Sequence, residues 1–354
     1  ILRMLPLAFF GALVGALAGR LNHRKMLVTG LLVMIGVSAA LAALSKTGHI
    51  QLWHIAVGVF VSGMFWVLDY SVRKTLLGAA VDGDSVGHAM SLDTVSNNGT
   101  RMLGPILGGM FLQWVGLTGV YVFAAVGYIG AILCALSLSS AIGGSGQKGR
   151  GVISAISQSL PLLKSHPLLA GILMVTVVFN LWGFPFISMI PVIGKEILVL
   201  NSFYVGLLMG AEGCGALIGA LLIAGAGQPR HYRKLYISGL GLYLVMAIMF
   251  SQSTSSVGSG ACLLLVGLGV AAFASMQSTL ILLTAPEEAR SLMMGLLTMC
   301  IGMAPIGFLH IGLLANWLGA PTAIAILAAE GLVALWWVLR RWPSLWDLQY
   351  RSAE

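Results

Sequence analysis

The chain has 354 residues, 58% of them hydrophobic and only 8% charged, with a formal net charge of +8. Soluble domains carry about 45–50% apolar and about 25% charged residues, and a chain this poor in charge cannot cover itself with polar surface in water. A soluble enzyme, a secreted disulfide scaffold, a disordered chain and a nucleic-acid-binding domain are all poor fits, and an all-α integral membrane protein is expected.

A helix needs about 20 apolar residues to cross the hydrocarbon core of a bilayer. Eleven runs approach that length, at about 4–19, 26–45, 50–72, 94–115, 119–140, 168–192, 203–224, 235–252, 258–283, 292–315 and 321–339. They are continuous rather than alternating in ten-residue units, which favours helices over a barrel. The sequence opens with Ile1, and its first run begins almost at once, without a charged start and a small-residue cleavage site. The expectation is that about 40 further residues with one more span precede it, so that the eleven runs are helices 2–12 of twelve.

With that numbering, the loops after even-numbered spans hold Arg20, Arg24 and Lys25; Arg73 and Lys74; Lys148, Arg150 and Lys164; Arg230, Arg233 and Lys234; and Arg290. The tail adds Arg340, Arg341 and Arg351, whereas the opposite side has Arg3, Lys46 and Lys195. This asymmetry obeys the positive-inside rule and places the basic loops and the C-terminus in the cytoplasm of a cell membrane, bacterial by this reading. The basic residues orient helices rather than forming one nucleic-acid-binding face.

The longest connection, 141–167, contains the small, polar stretch Ala141-Ile-Gly-Gly-Ser-Gly-Gln-Lys-Gly-Arg150, a flexible linker composition. It divides an N-terminal bundle (1–140) from a C-terminal bundle (168–340), followed by a cytoplasmic tail (341–354). Gln113-Trp-Val-Gly116 and Asn316-Trp-Leu-Gly319 occupy corresponding places in the two parts, as do the basic loops Arg20–Lys25 and Arg230–Lys234. Parallel repeats around a central cavity are a transporter architecture. Trp53, Trp114 and Trp317 fall near span ends and read as interface anchors.

Three motifs carry a family resemblance. Gly15-Ala-Leu-Ala-Gly-Arg-Leu-Asn-His-Arg-Lys25 resembles the loop between the second and third helices of the major facilitator superfamily. Gly15, Arg20, Arg24 and Lys25 match, but Gly19 stands in place of the usual aspartate and Asn22 in place of the usual glycine. In the family that aspartate belongs to a cytoplasmic gate, so its replacement puts the ordinary gate in doubt. Gly99-Thr-Arg-Met-Leu-Gly-Pro-Ile-Leu-Gly-Gly109 is similar to the fifth-helix signature of the superfamily's exporters. Pro105 removes a backbone hydrogen bond and should bend the helix, while Gly104, Gly108 and Gly109 should admit a neighbouring helix. The stretch Asn180-Leu-Trp-Gly-Phe-Pro185, with Ile190 to Gly194 and Gly206 to Gly219, is similar to the seventh and eighth helices of the siderophore-exporter and macrolide-efflux-like branch. The resemblance implies a major facilitator fold of two pseudo-symmetric six-helix bundles, here with the first helix missing.

Ionisable residues inside a bilayer cost about 2.5–3.5 kcal/mol each at a helix centre on insertion scales, which makes them the first functional candidates. Glu212, between Gly210 and Gly213, has no basic residue within one turn of sequence. A buried, unpaired carboxyl favours its neutral form and can load and release a proton. Asp69, Glu330 and His310 are the other proton-coupling candidates. Asp69 is four residues before Arg73, on the same helix face, and a structural ion pair is the competing account. For Glu212 and Glu330 that account is a neutral carboxyl bonded to a neighbouring helix, and for His310 a satisfied core residue. Arg101 could attract an anionic substrate group or pair with a carboxylate. Asn180 and Trp182, before Pro185, are further cavity candidates.

The sequence shows no P-loop, no HExxH and no GxSxG. The scattered histidines offer no metal set, and no cofactor is implied. The four cysteines stand singly in apolar runs and read as packed thiols. The function expected is secondary active transport: proton-coupled efflux of an amphipathic small molecule, drug-like or siderophore-like, by a monomer in the lipid bilayer. A lysophospholipid flippase, a metabolite importer, and a non-transporting scaffold or sensor are the alternatives.

Overall fold

A computed structural model describes residues 2, 3, 6, 23–79, 86–137, 163, 165–226, 231–286 and 289–346, with side chains at 23, 67, 70–79, 86–95, 226 and 291 left out. Among the described residues every regular element is helical. Hydrocarbon offers the backbone no partner, so an apolar spanning segment satisfies its own N–H and C=O groups by coiling.

The helices in chain order are α1 (His23–Lys46), α2 (Leu52–Ala79), α3 (Val86–Leu136), α4 (Pro167–Val178), α5 (Ser202–Ala226), α6 (Tyr232–Gln252), α7 (Ser256–Thr284), α8 (Arg290–Ile301), α9 (Ala304–Leu318) and α10 (Ala320–Arg341). Eight described stretches are long and apolar enough to cross a membrane. Three differences separate that figure from the eleven runs read from sequence. Residues 4–19 lie almost wholly outside the description. In α2 only Leu52–Trp66 qualifies, as a shorter apolar helix. The runs at 94–115 and 119–140 join into one stretch, Ser96–Leu136, broken only at Gly116 (φ 71°, ψ −174°). The bend expected at Pro105 is therefore not where α3 leaves helical torsions. Proline's fixed φ suits a helix, although its ring removes the hydrogen bond to the Arg101 carbonyl.

The chain divides into two compact units, one of residues 1–97 with 110–152 and one of 98–109 with 153–354. In the first, Leu41 of α1 packs where a side chain at Gly58 of α2 would stand, 2.8 Å from its Cβ position. Thr118 of α3 donates to the Ser45 hydroxyl at 2.9 Å, and Phe65 meets Tyr128 edge-on. The second unit holds the larger core, in which Leu169, Ile172, Ile190, Leu240, Leu263 and Ile324 are fully buried. α7 lies at its centre between α5 and α6.

After Val178, α4 continues through unusual windings. A π turn (Phe179–Gly183) is followed by a 3-10 segment (Phe184–Met189), a short α turn (Ile190–Val192) and a second π turn (Ile193–Ile197). Pro185 and Pro191 lie in this stretch, and each denies the helix one N–H.

Candidate functional site

Residues 98–109 of α3 pack within the second unit, and glycines on α5 form the seam. Gly206, Gly210 and Gly213 recur at spacings of four and three, on one helix face. A Cβ at Gly206 would meet the Pro105 carbonyl oxygen; one at Gly210 would stand 2.5 Å from Ile106 Cγ1, and one at Gly213 2.5 Å from the Met102 Cα. From the other side, a Cβ at Gly109 would meet the Ser202 carbonyl. Gly99, Gly104 and Gly108 do not share this contact: among the described residues nothing lies within 4 Å of a Cβ built on any of them. Gly109 is thus the one glycine of the expected trio that touches the neighbouring helix, and most of the close approach comes from α5.

This seam brings together two residues far apart in sequence. Arg101 Nη2 donates to Glu212 Oε1 at 2.6 Å. The Glu212 side chain is 4% exposed and that of Arg101 34%. Glu212, expected to lack a basic partner, has one, supplied by another helix rather than by its own turn. Its backbone carbonyl lies where a Cβ of Gly267 on α7 would stand, so the pair sits where three helices cross. Tyr243 of α6, fully buried, is within electrostatic reach of both charges. The arrangement holds a carboxylate against an arginine that is partly open, so a proton or an anion reaching the pair would compete for one partner with the other.

The other candidates are distributed as follows. Trp182, His310 and Glu330 converge: Trp182 Nε1 donates to Glu330 Oε2 at 3.0 Å, and His310 Nε2 stands 3.6 Å from the same oxygen. Asn180 is 3% exposed and donates to the Thr176 carbonyl at 2.9 Å. Asp69 is half-buried and is not without an interaction partner; it and Arg3 both act electrostatically on Tyr128. The Arg73 side chain lies outside the description, as do Gly15 and Arg20. Arg24 donates to the Leu136 carbonyl at 2.5 Å, and Lys25 is exposed.

A buried polar network escaped the sequence reading. The hydroxyls of Thr176 and Tyr236 share a hydrogen bond of 2.9 Å, Gln277 Nε2 donates to Thr176 Oγ1 at 3.0 Å, and Tyr236 also donates to the Ile172 carbonyl. Phe273 stacks on Phe179 and on Tyr236 beside it. Gln277, the one amide side chain in α7, was the available signal. Among the described residues no three His, Cys, Asp or Glu side chains come together as a metal site.

A family model described as "transmembrane secretion effector" matches residues 2–347. An uncharacterized MFS-type transporter of Bacillus subtilis (strain 168), YfiS, is 24% identical over 94% of this chain and 81% of its own length. A "multi-drug resistance efflux pump PmrA homolog" of Lactococcus lactis subsp. lactis (strain IL1403) is 21% identical over 82% of this chain and 71% of its own. Among solved structures, a POT family transporter in complex with a thioalcohol-conjugated peptide superposes with a TM-score of 0.74 at 14% identity, over 98% of this chain and 87% of that one.

Proposed function

Since the chain belongs to the transmembrane secretion effector family of major facilitator transporters, a family of multi-pass membrane proteins rather than enzymes, we propose that it is a proton-coupled exporter of an amphipathic small molecule. The Arg101–Glu212 pair on the α3–α5 seam carries this reading. A carboxylate this deeply buried is tolerable in its charged form because the guanidinium compensates it. Protonation of Glu212 removes the compensation and frees Arg101, the more exposed partner. Deprotonation restores the pair. Each cycle then moves one proton while the charge presented by Arg101 changes, which couples proton loading to occupancy of a neighbouring cavity. The close glycine packing under the pair supplies a surface on which helices can shift as access alternates. Efflux rather than uptake is supported by the family's description and by the relative named as an efflux pump homologue. Asp69 is the second candidate for the coupling carboxyl. The transporter works in the cell membrane with its C-terminus in the cytoplasm, the orientation favoured by the basic loops.

The test uses inverted membrane vesicles with an acidic lumen and a pH-sensitive fluorophore, to which candidate siderophores, macrolides and cationic dyes are added. Substrate should release protons from the lumen, and Glu212→Gln should abolish the release while leaving the protein inserted. Release that persists in Glu212→Gln removes Glu212 from the coupling role and turns attention to Asp69. No release with any candidate, from protein shown to be folded, would count against proton-coupled export of these compounds.

A further inference from the structure

Trp182 and Glu330 border an open groove of about 690 Å³ on the second unit, and His310 Nε2 stands 3.6 Å from the Glu330 carboxylate. The groove's remaining wall is apolar, with Ile326, Ala329, Val333, Trp336 and Trp337 along α10. Gly331 lets this assembly form: a Cβ there would stand 2.9 Å from Trp182 Cβ, so the bare backbone allows the indole to pass under α10 and reach Glu330. The Trp182 N–H donates to Oε2, and the His310 ring stands near the same oxygen. The Glu330 side chain keeps 39% of its surface exposed. Val333, Trp336 and Trp337 are each more than half exposed, so the groove opens outward.

The depth of this carboxylate restricts what can meet it. Glu330 lies at the middle of the 22-residue α10, about 15 Å from either end at 1.5 Å per residue, and so near the centre of a hydrocarbon layer about 30 Å thick. The charge of a lipid headgroup stays at the interface and does not reach that level. A cation that does must carry its charge inside a hydrophobic shell. The groove offers such a molecule a carboxylate as counter-ion, indole faces that attract cations through the ring quadrupole, and aliphatic walls for its hydrocarbon. One of these rings already carries a cation: Arg340 lies over Trp336, 4.8 Å from its centroid. The titratable and charged groups nearest the site are His310 from α9, beside Glu330, and Arg340 from α10 itself, over Trp336.

We propose that this groove is a binding site for lipophilic organic cations that enter from the hydrocarbon phase, with Glu330 as counter-ion and Trp182 and Trp337 as aromatic walls. It is separate from the Arg101–Glu212 pair and does not rest on the direction or coupling of transport. Trp182 and His310 hold Glu330 in place; the cation meets the carboxylate.

Equilibrium binding of tritiated tetraphenylphosphonium to the purified full chain tests this without any transport step. Binding should be saturable and should weaken by about tenfold, or 1.4 kcal/mol, in Glu330→Gln, which keeps an acceptor for the Trp182 N–H. Ala329→Trp, which fills the groove without touching the carboxylate, should weaken it similarly. Val257→Trp, at an exposed position outside the groove, should bind like the parent, and neutral triphenylphosphine oxide should fail to compete. Absence of saturable binding overturns the proposal, as does parent-like binding by folded Glu330→Gln and Ala329→Trp, or effective competition by the neutral compound. Val333→Cys that cross-links two copies in the membrane would give the groove to a second chain and overturn it too.

Discussion

Gly116 and Gly319 adopt the same backbone conformation, φ 71°, ψ −174° at one and φ 80°, ψ 159° at the other. Each is the last residue of a matching tetrapeptide, Gln113-Trp-Val-Gly116 or Asn316-Trp-Leu-Gly319. Each follows closely on a tryptophan that is almost three-quarters exposed, Trp114 at 73% and Trp317 at 74%. A positive φ with ψ near 180° is a region that essentially only glycine enters. The repeat therefore encodes a turn from one spanning helix to the next, with a large aromatic ring standing outward beside it.

Gly116→Ala and Gly319→Ala should each destabilise the protein by about 1–3 kcal/mol, the usual cost of a strained backbone site. Gly127→Ala, inside the second part of α3 with nothing within 4 Å of the new Cβ, should change stability by no more than about 0.5 kcal/mol. Thermal unfolding in detergent distinguishes them. Equal melting of all three variants would show that torsion is not what the glycines contribute.

A second contrast concerns the α3–α5 seam. Gly206→Ala drives a methyl into the Pro105 carbonyl, a backbone atom that no rotamer change can move aside. A loss of about 1–3 kcal/mol is expected, as in other overpacked sites. Gly108→Ala on α3 meets nothing within 4 Å and should match the parent in melting temperature. If Gly206→Ala also matches the parent, the seam is looser than these contacts imply.

Arg101→Met leaves the Glu212 carboxyl without its guanidinium. Breaking a fully buried pair costs about 3–5 kcal/mol; with Arg101 one-third exposed the loss should fall below that range. Adding Glu212→Leu should recover most of it, because an apolar pair needs no compensation. A double-mutant cycle from unfolding curves measures the coupling. Additive losses would mean that the two side chains do not depend on each other.

Thr176→Val keeps the shape of the side chain but deprives Gln277 of its acceptor, while Tyr236 retains the Ile172 carbonyl. A buried donor left unpaired costs about 1–3 kcal/mol. Gln277→Leu in the same background should return part of that stability, since it removes the stranded amide. Failure of the second change to help would place the cost elsewhere in the core.

The membrane class, the helical content and most span positions follow from composition and run length, because hydrocarbon imposes both directly. The WxG repeat was legible because glycine is the chemical requirement of the torsion it adopts. Pairing was less accessible. Nothing near Glu212 in sequence announces Arg101, and helices apolar on all sides give no stripe to show which face turns inward. Asn180, read as a cavity residue, spends a side-chain N–H on the carbonyl of its own preceding turn. Trp182, His310 and Glu330 were each singled out, but only the approach of α10 at Gly331 brings them to one place.

The winding of α4 and its continuation sets a phase as well as a shape. An α-helix turns about 100° per residue; the wide turn at Phe179–Gly183 lags behind that rotation, and the 3-10 segment Phe184–Met189 runs ahead of it by about 20° per residue. The lag and the lead run in opposite directions, and Phe179, Phe186 and Ile190, seven and four residues apart, all reach the same core. Such a segment behaves like a reading frame. Exchanging one residue alters a single position, whereas losing one rotates every later side chain by about 100° and turns buried rings toward lipid.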